Sequence, residues 1–541
     1  MIKKYRILWE LCGSFLWCVL TLFTDRLFFT YTWWNPRFFV YKGLFFLLAF
    51  VILHAAVTFT KKIRERDEMV LRWLKWTVPY LVISLIILVI VWPGYWAYDN
   101  IWILDAARAL SVSPWYHFLT GAVTALGMML IPIPGGVVLL QNLVISGIVG
   151  GFLCAAETLA RARLYRPVSS AWFVILYLPF LLPPVLLHNQ HPYRPTWVTW
   201  MEFFVMFLMV WWYFRGTTIR KPSLAVLAIL GGVMASWRTE NIYYAVAIPA
   251  LLLFLLHKKL LTKFAWCATT VGIVVSMMLC NAYNESLSPG TSWQYQRLAL
   301  CYQAVALVQD ANQEADAEAL AMIDPVISVE ACRANSSLHG SDLRDAVMRP
   351  VEDLTEQDWN ECVEGIVQLA LKYPKSLLRE RMGIFLQTVG IRTEGSAQKV
   401  IFYGPLVLYE LEEPLDAQEN FLYHTVASWP ICASLRVSFT HLMEGEISPL
   451  RGVISLSWQM LPSFALLATA VLVLLIRRKW FLFLVAGALF VKIPLIFLTA
   501  PDSHFMYYLS PYLAGYTAAA AGIVYAILLK ARRKQCEISE R

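Results

Sequence analysis

Apolar runs separated by short polar loops dominate the pattern of residues along this chain. Twelve of these runs approach the length of about 20 residues that an α-helix needs to cross the hydrocarbon core of a bilayer. The runs cover 7–25, 43–60, 77–94, 137–159, 168–187, 198–214, 223–237, 240–256, 263–281, 453–476, 480–499 and 507–529. The pattern predicts an all-α polytopic membrane protein with about twelve transmembrane helices.

The positions of the basic residues orient these predicted helices. Short cytoplasmic loops carry an excess of Lys and Arg, and basic clusters occur here at every second loop and near both ends of the chain. The clusters are Lys3/Lys4/Arg6, Lys61/Lys62/Arg64/Arg66, Arg161/Arg163/Arg166, Arg215/Arg220/Lys221, Lys258/Lys259/Lys263, Arg477/Arg478/Lys479 and Lys530/Arg532/Arg533/Lys534. We therefore expect an integral, multi-pass membrane protein with both termini in the cytoplasm. The same rule explains the basic excess, which implies no nucleic-acid partner.

One further apolar run, 116–132, does not fit the alternation of loops. Proline and glycine residues flank it on both sides and separate it from the next crossing. If it crossed the membrane, the basic cluster around Arg161 would lie outside. We therefore expect it to form a helix along the outer membrane surface, within a long outer loop, 95–136, that begins near Asp99.

Hydropathy and charge both change between residues 282 and 450. This segment holds 24 of the 37 acidic residues but only 11 of the 45 basic residues, whereas the whole chain is 59% hydrophobic and 15% charged. Its length is sufficient for an independent core, and the polar residues around Thr355 predict capped amphipathic helices. We expect a membrane domain over 1–281, a mainly helical extracytoplasmic domain over 282–450, and a membrane segment with a basic tail over 451–541.

Four cysteines fall in the extracytoplasmic segment: Cys301, Cys332, Cys362 and Cys432. An oxidising compartment permits one or two disulfides among them, and free buried thiols are the alternative. Their spacing matches no zinc motif. The pairing is left open.

Asp99 is the first candidate for chemistry. It follows the third apolar run in an aromatic-rich stretch, and a carboxylate held at a membrane boundary is commonly functional. A helix starting near Asn100 makes an N-cap role the alternative for Asp99. Asp105 is spaced to pair with Arg108 on the same helix.

Other ionisable residues fall near the same predicted outer boundary. Glu202 lies early in the sixth apolar run, where it must face protein or water, because an unpaired charge in lipid is costly. Arg238 and Glu240 occupy a tight outer turn, where they either bind a ligand or form an interfacial pair that anchors the turn. His504 lies in the last outer loop, within an aromatic stretch that includes Tyr507. The sequence contains no nucleotide-binding, serine-hydrolase or zinc-peptidase motif.

Several short motifs, taken in order, resemble those of bacterial polytopic glycosyltransferases of the GT-C superfamily, in particular a branch with extra N-terminal helices. The motifs are Pro93-Gly94 before Asp99, Pro114-Trp115-Tyr116-His117, Arg238 and Asn241 before Ile242-Tyr243, Gln294-Tyr295-Gln296-Arg297 to Gln303, and Tyr507-Tyr508-Leu509-Ser510-Pro511. Two positions depart from the family pattern. Met201-Glu202 stands where the branch has Lys-Asp, so the cation is lost. Met506 replaces an Arg, so phosphate binding there requires His504 as a substitute.

The resemblance implies a GT-C fold and an inverting transfer of a sugar from a polyprenyl-phosphate donor to a cell-envelope acceptor on the extracytoplasmic face. It also implies that the first outer loop supplies the catalytic carboxylate. Asp99 is therefore the candidate general base, since acceptor attack releases a proton. Arg238 is the candidate for binding the departing phosphate, because its planar fork can bind two oxygens. Arg194 and His504 are secondary candidates.

Further roles depend on the same resemblance. Glu202 is expected to orient the acceptor or to help to hold a divalent metal, Mg or Mn. Glu240, His117 and Tyr507 complete the expected substrate-binding residues. The helix at 116–132 is expected to guide the prenyl chain. The identities of the sugar, the lipid carrier and the acceptor are left open.

Two other classes of protein fit parts of this pattern. A transporter or flippase also commonly has twelve crossings, but its substrate residues lie near the bilayer midplane and its halves repeat. Here the candidate residues are predicted at one face. A non-enzymatic scaffold that displays the extracytoplasmic domain is the third alternative, and it assigns no purpose to Glu202 or to the turn at Arg238.

Overall fold

The computed structural model of this protein is a helical bundle. It describes residues 2–30, 35–96, 98–112, 116–163, 170–287, 300, 303–334, 346–350, 354–391, 430–444, 451–500 and 503–539. These residues form no β-strand, and an isolated β-bridge pairs Ile327 with Met348. The prediction of an all-α protein agrees with this part of the chain.

Nine helices in the described part of the chain are long and apolar enough to cross a membrane. They are Tyr5–Arg26, Pro36–Arg64, Glu68–Ile90, Pro134–Ala162, Arg194–Arg215, Thr239–His257, Lys263–Leu287, Trp480–Thr499 and Phe505–Lys530. Each coincides with one of the twelve predicted runs. The prediction of a multi-pass helical membrane protein is confirmed at this level.

The three remaining predicted crossings correspond to shorter helices. Within the run 168–187, a 3-10 helix at Ser170–Leu181 contains Pro179 and is followed by the short α-helix Pro183–His188. The other two runs form Lys221–Trp237, with 17 residues, and Leu461–Ile476, with 16 residues. All are shorter than the roughly 20 residues of a typical crossing, so the count of twelve stays a prediction.

Two short helices precede the long helix Pro134–Arg163. Tyr98–Arg108 begins one residue before Asp99, so the backbone of Asp99 lies in the first helical turn. Phe118–Leu130 has 13 residues, with His117 as its N-cap, and packs against Tyr98–Arg108. A helix of that length is too short to cross a bilayer.

The segment from 282 to 450 forms its contacts in two ways. Helices between 303 and 377 share a core that contains Trp359, Cys332 and Cys362. By contrast, Phe385 and Phe439 pack into the largest core of the membrane bundle. Part of this segment therefore has its own core, while two of its helices dock on the bundle. The described helices of the segment include Ala317–Ile323, Val329–Ala334, Glu356–Lys372, Pro374–Thr388 and Ala433–Glu444.

Local signals in this segment agree with the sequence. Thr355 and Asp358 form a capping box at the start of helix Glu356–Lys372, which confirms the predicted cap. Cys332 is a buried free thiol and Cys432 is an exposed one. Cys301 lies outside the described residues.

Candidate functional site

A tight turn at one end of the bundle carries two of the predicted residues. Arg238 has extended backbone angles (φ −135°, ψ 136°), which end the preceding helix, and Thr239–Asn241 form a turn of 3-10 helix. Trp237 Nε1 donates a hydrogen bond to Thr120 Oγ1 at 2.9 Å, which ties the turn to the helix at Phe118–Leu130.

The side chains of this turn are buried and paired. Arg238 forms an ion pair with Glu240, and their side chains are 6% and 10% exposed. The Arg238 guanidinium lies over the ring of Tyr507, with Cζ 5.4 Å from the ring centroid. The ring of His504 contacts Tyr507 edge-on at 5.5 Å. The structure thus brings together four predicted residues from two distant parts of the sequence.

Glu202 is fully buried beside this turn. It lies eight residues after the first residue of helix Arg194–Arg215, about 12 Å along the axis. Its Oε1 accepts hydrogen bonds from Asn241 Nδ2 at 2.8 Å and from Lys492 Nζ at 2.5 Å, and its Oε2 accepts one from Ser510 Oγ. A single carboxylate therefore joins four segments of the bundle.

Lys492 and Ser510 are site residues that the sequence analysis missed. Lys492 brings a cation to Glu202 from another helix. A signal was present, because Lys492 is the one charged residue in the apolar run 480–499. Intramembrane charges usually pair with one another, so Lys492 could have been recognised as a candidate, although its partner could not.

Arg194 and His117 form a second branch of the site. Arg194 is the first residue of its helix, is 7% exposed, and lies 5.6 Å from the ring centroid of Tyr116. It interacts electrostatically with His117 and with Glu240. Burial, with a smaller contribution from Arg194, lowers the pKa of His117 to about 4. The imidazole is therefore neutral at pH 7 and adds no charge.

The described side chains of this cluster carry more positive than negative charge. Three cations, Arg194, Arg238 and Lys492, all interact electrostatically with Glu240, and Glu202 is the second carboxylate. Within the described residues, Arg238 Nε is buried and has no hydrogen-bond partner. The described part of the cluster therefore comprises three cations and two carboxylates, and it includes one buried donor, Arg238 Nε.

The side chain of Asp99 lies outside the described residues, but Tyr95 and Asn100 near it form described hydrogen bonds. Asn100 Nδ2 donates to the carbonyl oxygen of Pro192 at 3.0 Å, and the Tyr95 amide donates to the carbonyl oxygen of Gln190 at 2.8 Å. The start of the Asp99 helix is thus bonded to the loop that leads directly into Arg194. Farther along this helix, Asp105 interacts electrostatically with Arg108, as predicted.

The polar side chains of the loop before Arg194 form hydrogen bonds with other residues of the bundle. His188, Asn189 and Gln190 are almost completely buried. Trp200 Nε1 donates to Asn189 Oδ1 at 2.8 Å, and Asn142 Nδ2 donates to Gln190 Oε1 at 2.9 Å. The loop therefore acts as a fixed support beside the candidate site.

A narrow cleft of about 10 Å³ lies between the two short helices. Its lining combines apolar and small residues with polar ones: Ile103, Ala106, Ser111, Val112, Tyr116, His117, Phe118 and Gly121. A larger cavity, of about 440 Å³, lies in the acidic segment, residues 282–450, beside Asp324, Glu330 and Arg333.

The donor groups do not define a metal site. In the part of the chain that the structure describes, no group of three or more His, Cys, Asp or Glu residues is arranged to hold a metal ion. Both oxygens of Glu202, the residue expected to help with a metal, accept hydrogen bonds from protein groups.

The chemistry of the cluster suits an anionic ligand. Arg and Lys donate charge-assisted hydrogen bonds to phosphate or carboxylate oxygens, and such bonds are stronger where water is excluded.

No family model matches this sequence, and no curated protein or solved structure is detectably similar to it.

Proposed function

We propose that this chain is a membrane glycosyltransferase that transfers a sugar from a polyprenyl-phosphate donor to a cell-envelope acceptor. The proposal includes a GT-C-like arrangement of about twelve crossings, with both termini in the cytoplasm and the site on the extracytoplasmic face. The observation that carries it is the buried cluster of three cations and two carboxylates at one end of the bundle. Three cations in a buried cluster can donate charge-assisted hydrogen bonds to the phosphate of a lipid-linked donor.

The surface of the helix Phe118–Leu130 is the proposed position for the lipid part of the donor. The cleft between this helix and Tyr98–Arg108, of about 10 Å³, is too small to enclose a prenyl chain. In the proposal, the prenyl chain lies along the helix Phe118–Leu130. Its phosphate then reaches Arg194 and Arg238.

Arg238 is the proposed phosphate ligand at the reacting centre. Negative charge grows on the phosphate oxygen as the bond to the sugar breaks, and a fixed cation stabilises that charge. Tyr507 and Glu240 hold the guanidinium in place, and its buried Nε is available as a donor. Lys492 adds positive charge without leaving Glu202, and His504 is positioned through Tyr507.

Asp99 is the proposed general base. The acceptor hydroxyl oxygen attacks the anomeric carbon, and its proton passes to the Asp99 carboxylate. The bond from the anomeric carbon to the phosphate oxygen breaks, and the lipid phosphate leaves with the bonding electrons. Attack opposite the leaving group inverts the anomeric centre. Glu202 organises the site or orients the acceptor, and dependence on Mg or Mn is a separate question that treatment with EDTA answers.

A transporter or flippase for a lipid-linked or polar substrate is the competing function. Transporter sites usually lie at discontinuous helices near the midplane. Glu202 lies about 12 Å into its helix, and Lys492 begins a second helix after a break at Val491, so this pair fits either function. Arg194 and Arg238 lie at a helix start and in a turn, and their position favours an enzyme.

The first test is sugar transfer by the purified protein, supplied with a panel of polyprenyl-phosphate monosaccharides. Asp99→Asn should lower turnover by at least about 100-fold, since general-base catalysis typically contributes that much. Asp105→Asn is the matched control, because it lies on the same helix, and it should retain turnover within a few fold. Full activity of Asp99→Asn would move the base to another residue. Absence of transfer from every donor would contradict the proposed function.

A further inference from the structure

One helix of the acidic segment contacts the loop that leads to Asp99. Arg436, in helix Ala433–Glu444, is 1% exposed. Its Nη1 donates to the carbonyl oxygen of Trp92 at 2.7 Å, and its Nη2 donates to the carbonyl oxygen of Gly94 at 2.8 Å. One guanidinium therefore donates hydrogen bonds to two main-chain carbonyl oxygens, one on each side of Pro93.

The same helix makes a second contact with this loop. Tyr95 Oη and Thr440 Oγ1 form a buried hydrogen bond at 2.7 Å, and Arg436 Cζ lies 5.6 Å from the centroid of the Tyr95 ring. On its other side, the Tyr95 amide donates to Gln190. The peptide from 92 to 95 is thus held between the docked helix and the loop before Arg194.

Gly94 indicates how closely this loop is fitted. Its φ of +107° disfavours any residue with a side chain, and an added Cβ would lie 2.7 Å from Val138 Cγ2 and 2.8 Å from the Gln190 carbonyl oxygen. The loop has no space to shift toward the bundle. Arg436 closes the remaining side.

We propose that Arg436 is a positioning residue for the reaction, because it fixes the loop from which the Asp99 helix starts. The inference depends on the proposed function, in which Asp99 acts as the base. Arginine suits the task because its rigid fork binds two acceptors in one geometry, which the single ammonium of lysine does not reproduce. The acidic segment thereby contributes to catalysis without touching the substrate.

The expected kinetic signature separates this role from binding. A base displaced by about 1 Å costs roughly 100-fold in rate, whereas the residues that bind the donor phosphate are unchanged. Arg436→Gln should therefore lower kcat by about 100-fold and leave the donor KM within about twofold. Arg436→Lys should recover part of the lost kcat.

Amide hydrogen exchange provides a readout that does not depend on activity. In Arg436→Gln, peptides covering 90–104 should exchange at least about tenfold faster than in the wild type, because a fixed loop now opens. Arg381→Gln is the matched control. Arg381 is equally buried on a second docked helix but bonds to the Ala500 carbonyl oxygen, so its loss should leave exchange over 90–104 unchanged.

The outcomes distinguish the two proposals. Sugar transfer by the wild type with an unchanged kcat in Arg436→Gln overturns the positioning role alone, as does unchanged exchange over 90–104. No transfer by the wild type overturns the proposed function. If Arg436→Gln does not fold, the milder Thr440→Val decides the question, with an expected threefold to tenfold loss of kcat and faster exchange over the same peptides.

Discussion

Lys492, a lysine inside an apolar helix, provides the charged partner of the Glu202 carboxylate. Without Lys492, the fully buried carboxylate would retain only the neutral donors Asn241 and Ser510. Burying an unpaired charge is far more costly than burying a hydrogen-bonded pair. The pair therefore acts as a structural centre that holds the Arg238 turn against the final helix.

Removing one member of this pair should be worse than removing both. Lys492→Met should destabilise the protein by about 3–5 kcal/mol, because Glu202 is then left as an unpaired buried charge. The double variant Lys492→Met/Glu202→Gln should recover much of that loss. Thermal unfolding of the purified protein in detergent measures both, with the exposed Lys263→Met as a control. Equal stability of Lys492→Met and the wild type would show that Glu202 is not charged in the folded protein.

At the scale of single residues, the sequence showed which polar residues are candidates for the site, but it did not show which residues they pair with. Glu202, Arg238 and His504 were recognisable as candidates because polar groups are conspicuous in apolar runs. The pairing of Glu202 with Lys492 spans 290 positions and depends on tertiary packing, which local patterns do not record. The neutrality of His117 likewise follows from burial, which its sequence neighbours do not reveal.

Helix packing at the element scale depends on a few small residues. The helices Glu68–Ile90 and Pro134–Arg163 come together at Gly150, where an added Cβ would lie only 1.9 Å from Thr77 Oγ1 and 2.9 Å from Thr77 Cα. Small residues permit such close approach between membrane helices. This contact fixes the helix that leads to the Asp99 loop.

Gly150→Ala should therefore be strongly destabilising, by at least about 1–3 kcal/mol, because it overpacks the helix contact. Gly147→Ala is the control on the same helix, since its Cβ would be 3.7 Å from Trp73. It should be neutral or slightly stabilising, because alanine favours helix more than glycine does. Thermal unfolding of the two variants tests this contrast. Equal melting temperatures would contradict the close packing at Gly150.

Element boundaries were predictable where apolar length was sufficient. Nine runs became long helices, but 168–187 became a 3-10 helix and a short α-helix. Pro179, Pro183 and Pro184 interrupt regular hydrogen bonding there. The length of the apolar run therefore overestimated the length of a regular helix.

The whole molecule divides its polar groups between two ends of the bundle. At one end, Glu157 is surrounded by Arg161, Lys75 and Arg72. At the other end, Glu202 and Glu240 share their surroundings with three cations beside the loop of Asp99. The described polar groups thus include two separate charged clusters.

The acidic segment was harder to predict at this scale. Its composition correctly suggested helices with a core of their own, but the docking of Phe385 and Phe439 on the bundle joins residues far apart in the sequence. Amphipathic patterns reveal an apolar face without revealing what covers it. The contact between Arg436 and the loop before Asp99 could therefore not be predicted from the sequence.

The most direct measurement of the central claim follows one radiolabelled polyprenyl-phosphate monosaccharide in proteoliposomes that contain the purified protein. The panel member that supports transfer is the probe, with the acceptor supplied on the outer side. We expect the sugar to leave the lipid and unglycosylated polyprenyl phosphate to accumulate, and Arg238→Ala to lower that rate about 100-fold or more. Movement of the intact donor between leaflets, with no polyprenyl phosphate formed, would identify a flippase and contradict the account.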